Sequence, residues 1–166
     1  QMCIRDSTYA RELQMPFYGC GLDGIFRERS WCLHGVLNGI DIEEWNPAQD
    51  KTIPQAFTTD DLSGKAACKT ALQEELGLRV DAELPLIVMV GRLTNQKGLG
   101  LVRYAMERLM NNGVQMAILG TGDADQEEAF RYFDTTYGDM LCARIAFDGA
   151  LAHRMYAAGD ILLLSL

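Results

Sequence analysis

Four stretches of this chain combine residue types that could hold a phosphorylated ligand. The first is YGCGLDGIF, residues 18–26, in which Gly19, Gly21 and Gly24 spell G-x-G-x-x-G. That spelling binds a dinucleotide only where it leaves a buried strand and opens a helix, because the pyrophosphate sits on the helix's free N–H groups. Gln14-Met15-Pro16-Phe17-Tyr18 precedes it, with a proline and no β-branched run, so a glycine-rich loop entering a short helix, Leu22 to Arg29, is expected instead. The second stretch, residues 91–98, reads GRLTNQKG and carries Arg92 and Lys97. Arginine can grip two phosphate oxygens with its planar fork, and lysine adds a mobile point charge. Gln96 stands where a Walker A motif needs glycine before its lysine, and two solvated loop cations are the competing reading. The third is Gly120-Thr121-Gly122-Asp123, whose glycines would let backbone approach a ligand closely, although Asp125 occupies the place of a third glycine. A tight strand-to-helix turn is the plainer account. The fourth is Phe147-Asp148-Gly149, where an aromatic at a strand end could stack on a base or simply fill the core.

These loops are of interest because of the elements expected to carry them. Leu86 to Val90 is a continuous apolar run, as in a strand buried on both faces. Leu99 to Asn112 follows with helical spacing of Val102, Ala105, Met106, Leu109 and Met110, and Gly113 as a stop. The cycle repeats with a strand at 114–119, a helix at 124–137, a strand at 142–147, a helix at 151–158 and a strand at 161–164. Such alternation implies βαβ crossovers and a parallel α/β sheet, in which ligands bind beyond the carboxyl ends of the strands. Further upstream, Thr59 or Asp60 can cap a helix ending at Leu76 with Gly77 as its stop, and residues 36–41 read as a strand end turning at Asn-Gly. A boundary near residue 40 separates this rhythm from a less regular start.

Bulk properties narrow the classes. The 166 residues are 48% hydrophobic and carry a net charge of −8, which argues against a nucleic-acid surface. No apolar run approaches a membrane span. Cys3, Cys20, Cys32, Cys68 and Cys142 are odd in number and form no C-x-x-C pair, favouring reduced thiols in a cytoplasmic protein and giving no zinc spacing. Neither His34 nor His153 joins a visible catalytic arrangement. The residues alone therefore point to part of a nucleotide-binding α/β domain.

Read together, Thr8-Tyr9-Ala10, YGCGLDGIF, VLNGIDIEEWNP, GRLTNQKG, LGTGD and the Ala152-His153-Arg154 segment resemble bacterial glycogen synthase and plant starch synthase, in that family's order and spacing. The resemblance implies a retaining glucosyltransferase of GT-B fold with two Rossmann-like domains. Residues 1–40 would be the tail of the amino-terminal, acceptor-side domain, and 41–166 the first half of the donor-binding domain. The donor would be ADP-glucose or UDP-glucose, the acceptor the non-reducing end of an α-1,4-glucan, with no metal or other cofactor. Location would be cytoplasmic, or plastidic in a plant.

By the same resemblance, Arg92 and Lys97 match the pair that binds the donor phosphates. Asn38 matches an asparagine lining the cleft near the hinge, Gly120 and Gly122 shape that cleft, and Phe147 takes the place of an aromatic against the base. Gln1 to Ser7 and Ser165-Leu166 depart from the family pattern, and the family's amino-terminal lysine-and-glycine loop and E-P-C-G-L segment have no counterpart here. An internal fragment without turnover of its own is the expectation. Another GT-B glycosyltransferase and a non-catalytic nucleotide- or glucan-binding module are the alternatives, and an NAD-dependent dehydrogenase is disfavoured by the lack of a full fingerprint.

Overall fold

The computed structural model describes residues 2–5 and 7–164, so Ser165 and Leu166, where the resemblance breaks off, and Gln1 and Asp6 in the lead-in lie outside it. The chain divides into two compact units, Gln1–Ile42 and Glu43–Leu166.

In the first unit, β1 (Met2–Arg5) runs parallel to β2 (Leu33–Val36), with Cys3 opposite His34. Between them lie α1 (Ser7–Glu12) and α2 (Asp23–Glu28). The glycine-rich stretch is the turn before α2, and no strand leads into it. Cys20 and Gly21 adopt positive φ, and a Cβ on Gly19 would fall 2.5 Å from that of Asp23, so the glycines serve a tight corner.

The second unit is a three-layer α/β sandwich. Its elements are α3 (Ser63–Leu76), β3 (Leu86–Val90), α4 (Leu99–Asn111), β4 (Gln115–Leu119), α5 (Ala124–Tyr137), β5 (Leu141–Arg144), α6 (Gly149–Ala158) and β6 (Ile161–Leu162). All strand pairs are parallel, in the order β5-β4-β3-β6. Because β3 and β4 are central, both sets of alternating side chains are buried, which explains their unbroken apolar sequence. Leu86, Val88, Ala117 and Leu119 pack with Leu72 of α3 and Met155 of α6 on one face. Ile87, Met89, Met116 and Ile118 pack with Met106 of α4 and Phe130 of α5 on the other.

Several boundaries differ from expectation. The strand expected at 142–147 ends at Arg144, leaving Phe147 in the following loop. The strand expected at 161–164 keeps pairing only at Ile161 and Leu162. Helix α3 opens at Ser63 without a side-chain cap from Thr59 or Asp60. Thr58 Oγ1 instead accepts from the amides of Asp60 and Asp61, and Asp61 accepts from that of Ser63, so the polar side chains fold the approach to the helix rather than its first turn. Its stop is as read, with Gly77 left-handed at φ 72°.

Candidate functional site

A cleft of about 200 Å³ opens at the carboxyl ends of β3, β4 and β5. Val90, Leu119, Ala146 and Ala152 give it apolar walls, while Arg92, Thr121 and Asp148 supply polar groups. Gly91 and Gly120 complete the floor, and Phe147 stands at the rim with its side chain 97% exposed. Such a position, apolar with a few convergent polar groups at the strand ends of an open α/β sheet, is where ligands of these folds bind.

Three of the sequence-derived residues thus meet in one cleft: Arg92, Gly120 and Phe147. Phe147 belongs to the loop after β5 and not to the core, so its ring is free to stack. Lys97 and Gly122 do not line the cleft wall. Lys97 ends a short 3₁₀ turn, Asn95–Lys97, and Gly98 at φ 66° then redirects the chain into α4. Among the described residues neither Arg92 nor Lys97 is held in an ion pair with an acidic side chain, in a protein with a net charge of −8. An anion would therefore not have to displace an internal carboxylate. Asn38 lies beyond β2 in the other unit and is exposed.

The two loop glycines make the tight strand-to-helix turn that is the plainer of the two expectations, and Gly120 also lines the cleft. A Cβ on Gly120 would lie 1.8 Å from the carbonyl oxygen of Gly91, and one on Gly122 would lie 2.1 Å from that of Leu93. What approaches them is the backbone of the neighbouring loop: Leu93 donates its amide to Thr121 O at 2.9 Å, and Asp123 donates to Leu93 O at 2.8 Å. One of the backbone N–H groups just ahead of α5 is also used within the protein. Gly122 N–H donates to Glu127 Oε1 at 3.0 Å, and this bond holds the Glu127 carboxyl below its ordinary pKa. At α6, Asp148 caps the helix, accepting from Leu151 N–H at 2.9 Å.

A second cluster escaped the sequence reading. His153 Nδ1 lies 2.6 Å from Asp50 Oδ2, with both side chains largely buried. The Trp45 indole stacks on the imidazole at 4.0 Å between ring centres and 14° between planes. These contacts pin the loop before α3 onto α6. Burial pushes the Asp50 carboxyl up, but hydrogen bonds from Thr52 and His153 outweigh it and leave its pKa below the ordinary 3.8. Nothing in local spacing announces a contact between residues 103 positions apart. A folded-state pKa below the unfolded value stabilises above that unfolded value and is lost as pH falls through the folded one. Acid unfolding should therefore steepen below about pH 4, and Asp50→Asn should flatten that limb in a chemical-denaturation series. An unchanged limb in the variant would contradict this account.

No family model matches the chain. It is 52% identical over 157 residues to a glycogen synthase of Anaeromyxobacter sp. and 48% identical over 158 residues to that of Clostridium beijerinckii. Both alignments cover 95% of this chain. This chain is a relative of the glycogen synthases. It spans about a third of their length, 33% of each. The fold agrees: the catalytic domain of starch synthase IV from Arabidopsis thaliana, solved with ADP and acarbose bound, superposes with a TM-score of 0.90 at 32% identity, over 98% of this chain and 34% of that one. The parallel α/β architecture is accordingly that of a GT-B glycogen or starch synthase over part of its length.

Proposed function

We propose that this chain forms the donor-binding wall of a retaining glucosyltransferase that moves glucose from ADP-glucose to the non-reducing end of an α-1,4-glucan. The observation that carries the reading is the cleft at the strand ends, with Arg92 among its lining residues and the exposed Phe147 at its rim. Its support is the similarity to glycogen synthases, and to a starch synthase whose structure holds ADP and acarbose. In this reading Arg92 forks onto the donor phosphates and Lys97 adds a second positive charge. Together they offset the charge that builds on the nucleoside diphosphate as the glycosidic bond breaks. Phe147 stacks on the base, worth about 1–3 kcal/mol. Gly120 and Gly122 set the loops that shape the cleft. In this reading two cations supply the charge that a metal would otherwise bring, so no cofactor is assigned, and the proposed location is the cytoplasm, or the plastid in a plant.

Calorimetric titration of the chain with ADP-glucose, with UDP-glucose and NAD as comparisons, tests this directly. Selective binding of ADP-glucose is expected, weakened about ten- to a hundredfold, or 1.5–3 kcal/mol, by Arg92→Ala. Equal binding of NAD, or an Arg92→Ala affinity matching the wild type, would remove the donor reading.

A further inference from the structure

Asp123 occupies the N-cap place of α5, at φ −71° and ψ 135°, yet its side chain makes no capping bond to that helix. An aspartate there ordinarily accepts from the second or third amide of its own helix. Instead Oδ2 accepts from the backbone N–H of Asn95, on the cation-bearing loop, at 2.9 Å. Glu127, in the first turns of α5, accepts from Gly122 N–H ahead of the helix, so its carboxylate also serves the loop and does not cap the helix's own amides. The Gln126 side chain, 2% exposed, reaches the same loop: Nε2 donates to Asn95 Oδ1 at 2.6 Å. Its Oε1 is buried without a hydrogen-bond partner among the described residues. A buried amide left half-satisfied is unfavourable for folding alone, and residues that break a local rule tend to sit at functional places. The backbone pairs of Leu93 with Thr121 and Asp123 complete the attachment.

We propose that Asp123 and Gln126 are positioning residues for donor binding: they clamp the segment from Leu93 to Asn95 onto the start of α5, and so fix where Arg92 and Lys97 stand on either side of it. The inference rests on the reading of those cations as the donor-phosphate pair. Asp123 is spent on a backbone amide and not on either cation, so the clamp orients positive charge without neutralising it. Preorganisation of this kind lowers the cost of ordering a phosphate site on binding.

Two independent readouts separate the clamp from the donor reading. The first is amide hydrogen exchange of residues 93–98 without ligand, and the second is calorimetric affinity for ADP. Asp123→Ala should speed exchange in that segment and weaken ADP binding about tenfold, while Asp123→Asn, which keeps an acceptor oxygen, should stay within about threefold of wild type. Gln126→Leu removes both the clamp bond and the unsatisfied oxygen. It should lower ADP affinity about fivefold with no loss of resistance to urea, a combination that a merely structural role does not produce. Arg154→Ala, which breaks an ion pair to Glu75 between α6 and α3, serves as a stability control expected to leave affinity unchanged. If Arg92→Ala weakens ADP binding while Asp123→Ala and Gln126→Leu do not, the clamp has no positioning role. Unaltered exchange in Asp123→Ala would refute the clamp itself, and a wild-type chain that binds no ADP would remove the donor reading and the positioning role with it.

Discussion

Gly120→Ala should be the most damaging single-methyl change in the chain, destabilising the second unit by about 3 kcal/mol or more and abolishing donor binding. The added Cβ would sit 1.8 Å from the Gly91 carbonyl oxygen and 3.0 Å from its carbon, which are backbone atoms that no rotamer change can move aside. Relief requires β3 and β4 to part where they enter the cleft. That would strain the bond from Gly91 N–H to Leu119 O at 3.0 Å and shift Arg92, the next residue. Gly122→Ala meets the Leu93 carbonyl at 2.1 Å and should behave alike. Gly100→Ala provides the contrast. It lies in α4 with nothing within 4 Å of the new methyl, and should stabilise by up to about 1 kcal/mol through helix propensity alone. Urea unfolding of the three variants decides the matter. A cost below about 1 kcal/mol for Gly120→Ala would mean that the loops separate easily and the glycines are not there for close packing.

This contrast also marks what sequence patterns could and could not reveal. The alternation of strands and helices was readable because parallel strands buried on both faces need continuous apolar runs, as at Leu86 to Val90, and because the amphipathic spacing of α4 has no other use. Gly120 and Gly122 were readable as positions where a side chain is forbidden. Whether a ligand or the neighbouring loop forbids it has the same sequence signature, and only the distances to Gly91 and Leu93 decide. Phe147 was assigned to a strand because apolar residues precede it, yet pairing stops at Arg144. Its exposure follows from that ending, and it strengthens the case for a stacking role.

The residues that eluded the sequence do their work over long separations. Asp50 with His153, and Asp123 with Asn95, join polar side chains whose partners lie 103 and 28 positions away. Helical and strand periodicities report which face of an element is buried. They carry no record of which buried polar group meets which. Arg92 and Lys97 are legible as candidate cations because both stand in one loop beside a helix start, whereas the contacts that hold that loop to α5 are not local.

The largest of these hidden supports is Lys69, and its removal should cost about 2–4 kcal/mol in Lys69→Met. Its ammonium group is nearly buried and spends all three protons, on Ala82 O at 2.9 Å, Leu84 O at 2.7 Å and Asp160 Oδ2 at 2.7 Å. Asp160 Oδ2 also accepts from Leu86 N–H at 2.8 Å, so one lysine ties α3 to the entry of β3 and to the turn into β6. Methionine keeps the aliphatic stem and its packing while deleting the donors, which leaves two carbonyls unpaired and a carboxylate without its cation. Because the Asp160 side chain is 40% exposed, water can solvate it, and the cost should fall short of that for a fully buried pair. Asp160→Asn retains an oxygen facing the lysine and should cost less, about 1 kcal/mol. The network sits at the amino ends of the strands, opposite the cleft, so the ADP affinity of folded Lys69→Met should match the wild type. A urea midpoint unchanged in Lys69→Met would show that the carbonyls find water instead, and that α3 is held to the sheet by its apolar face alone.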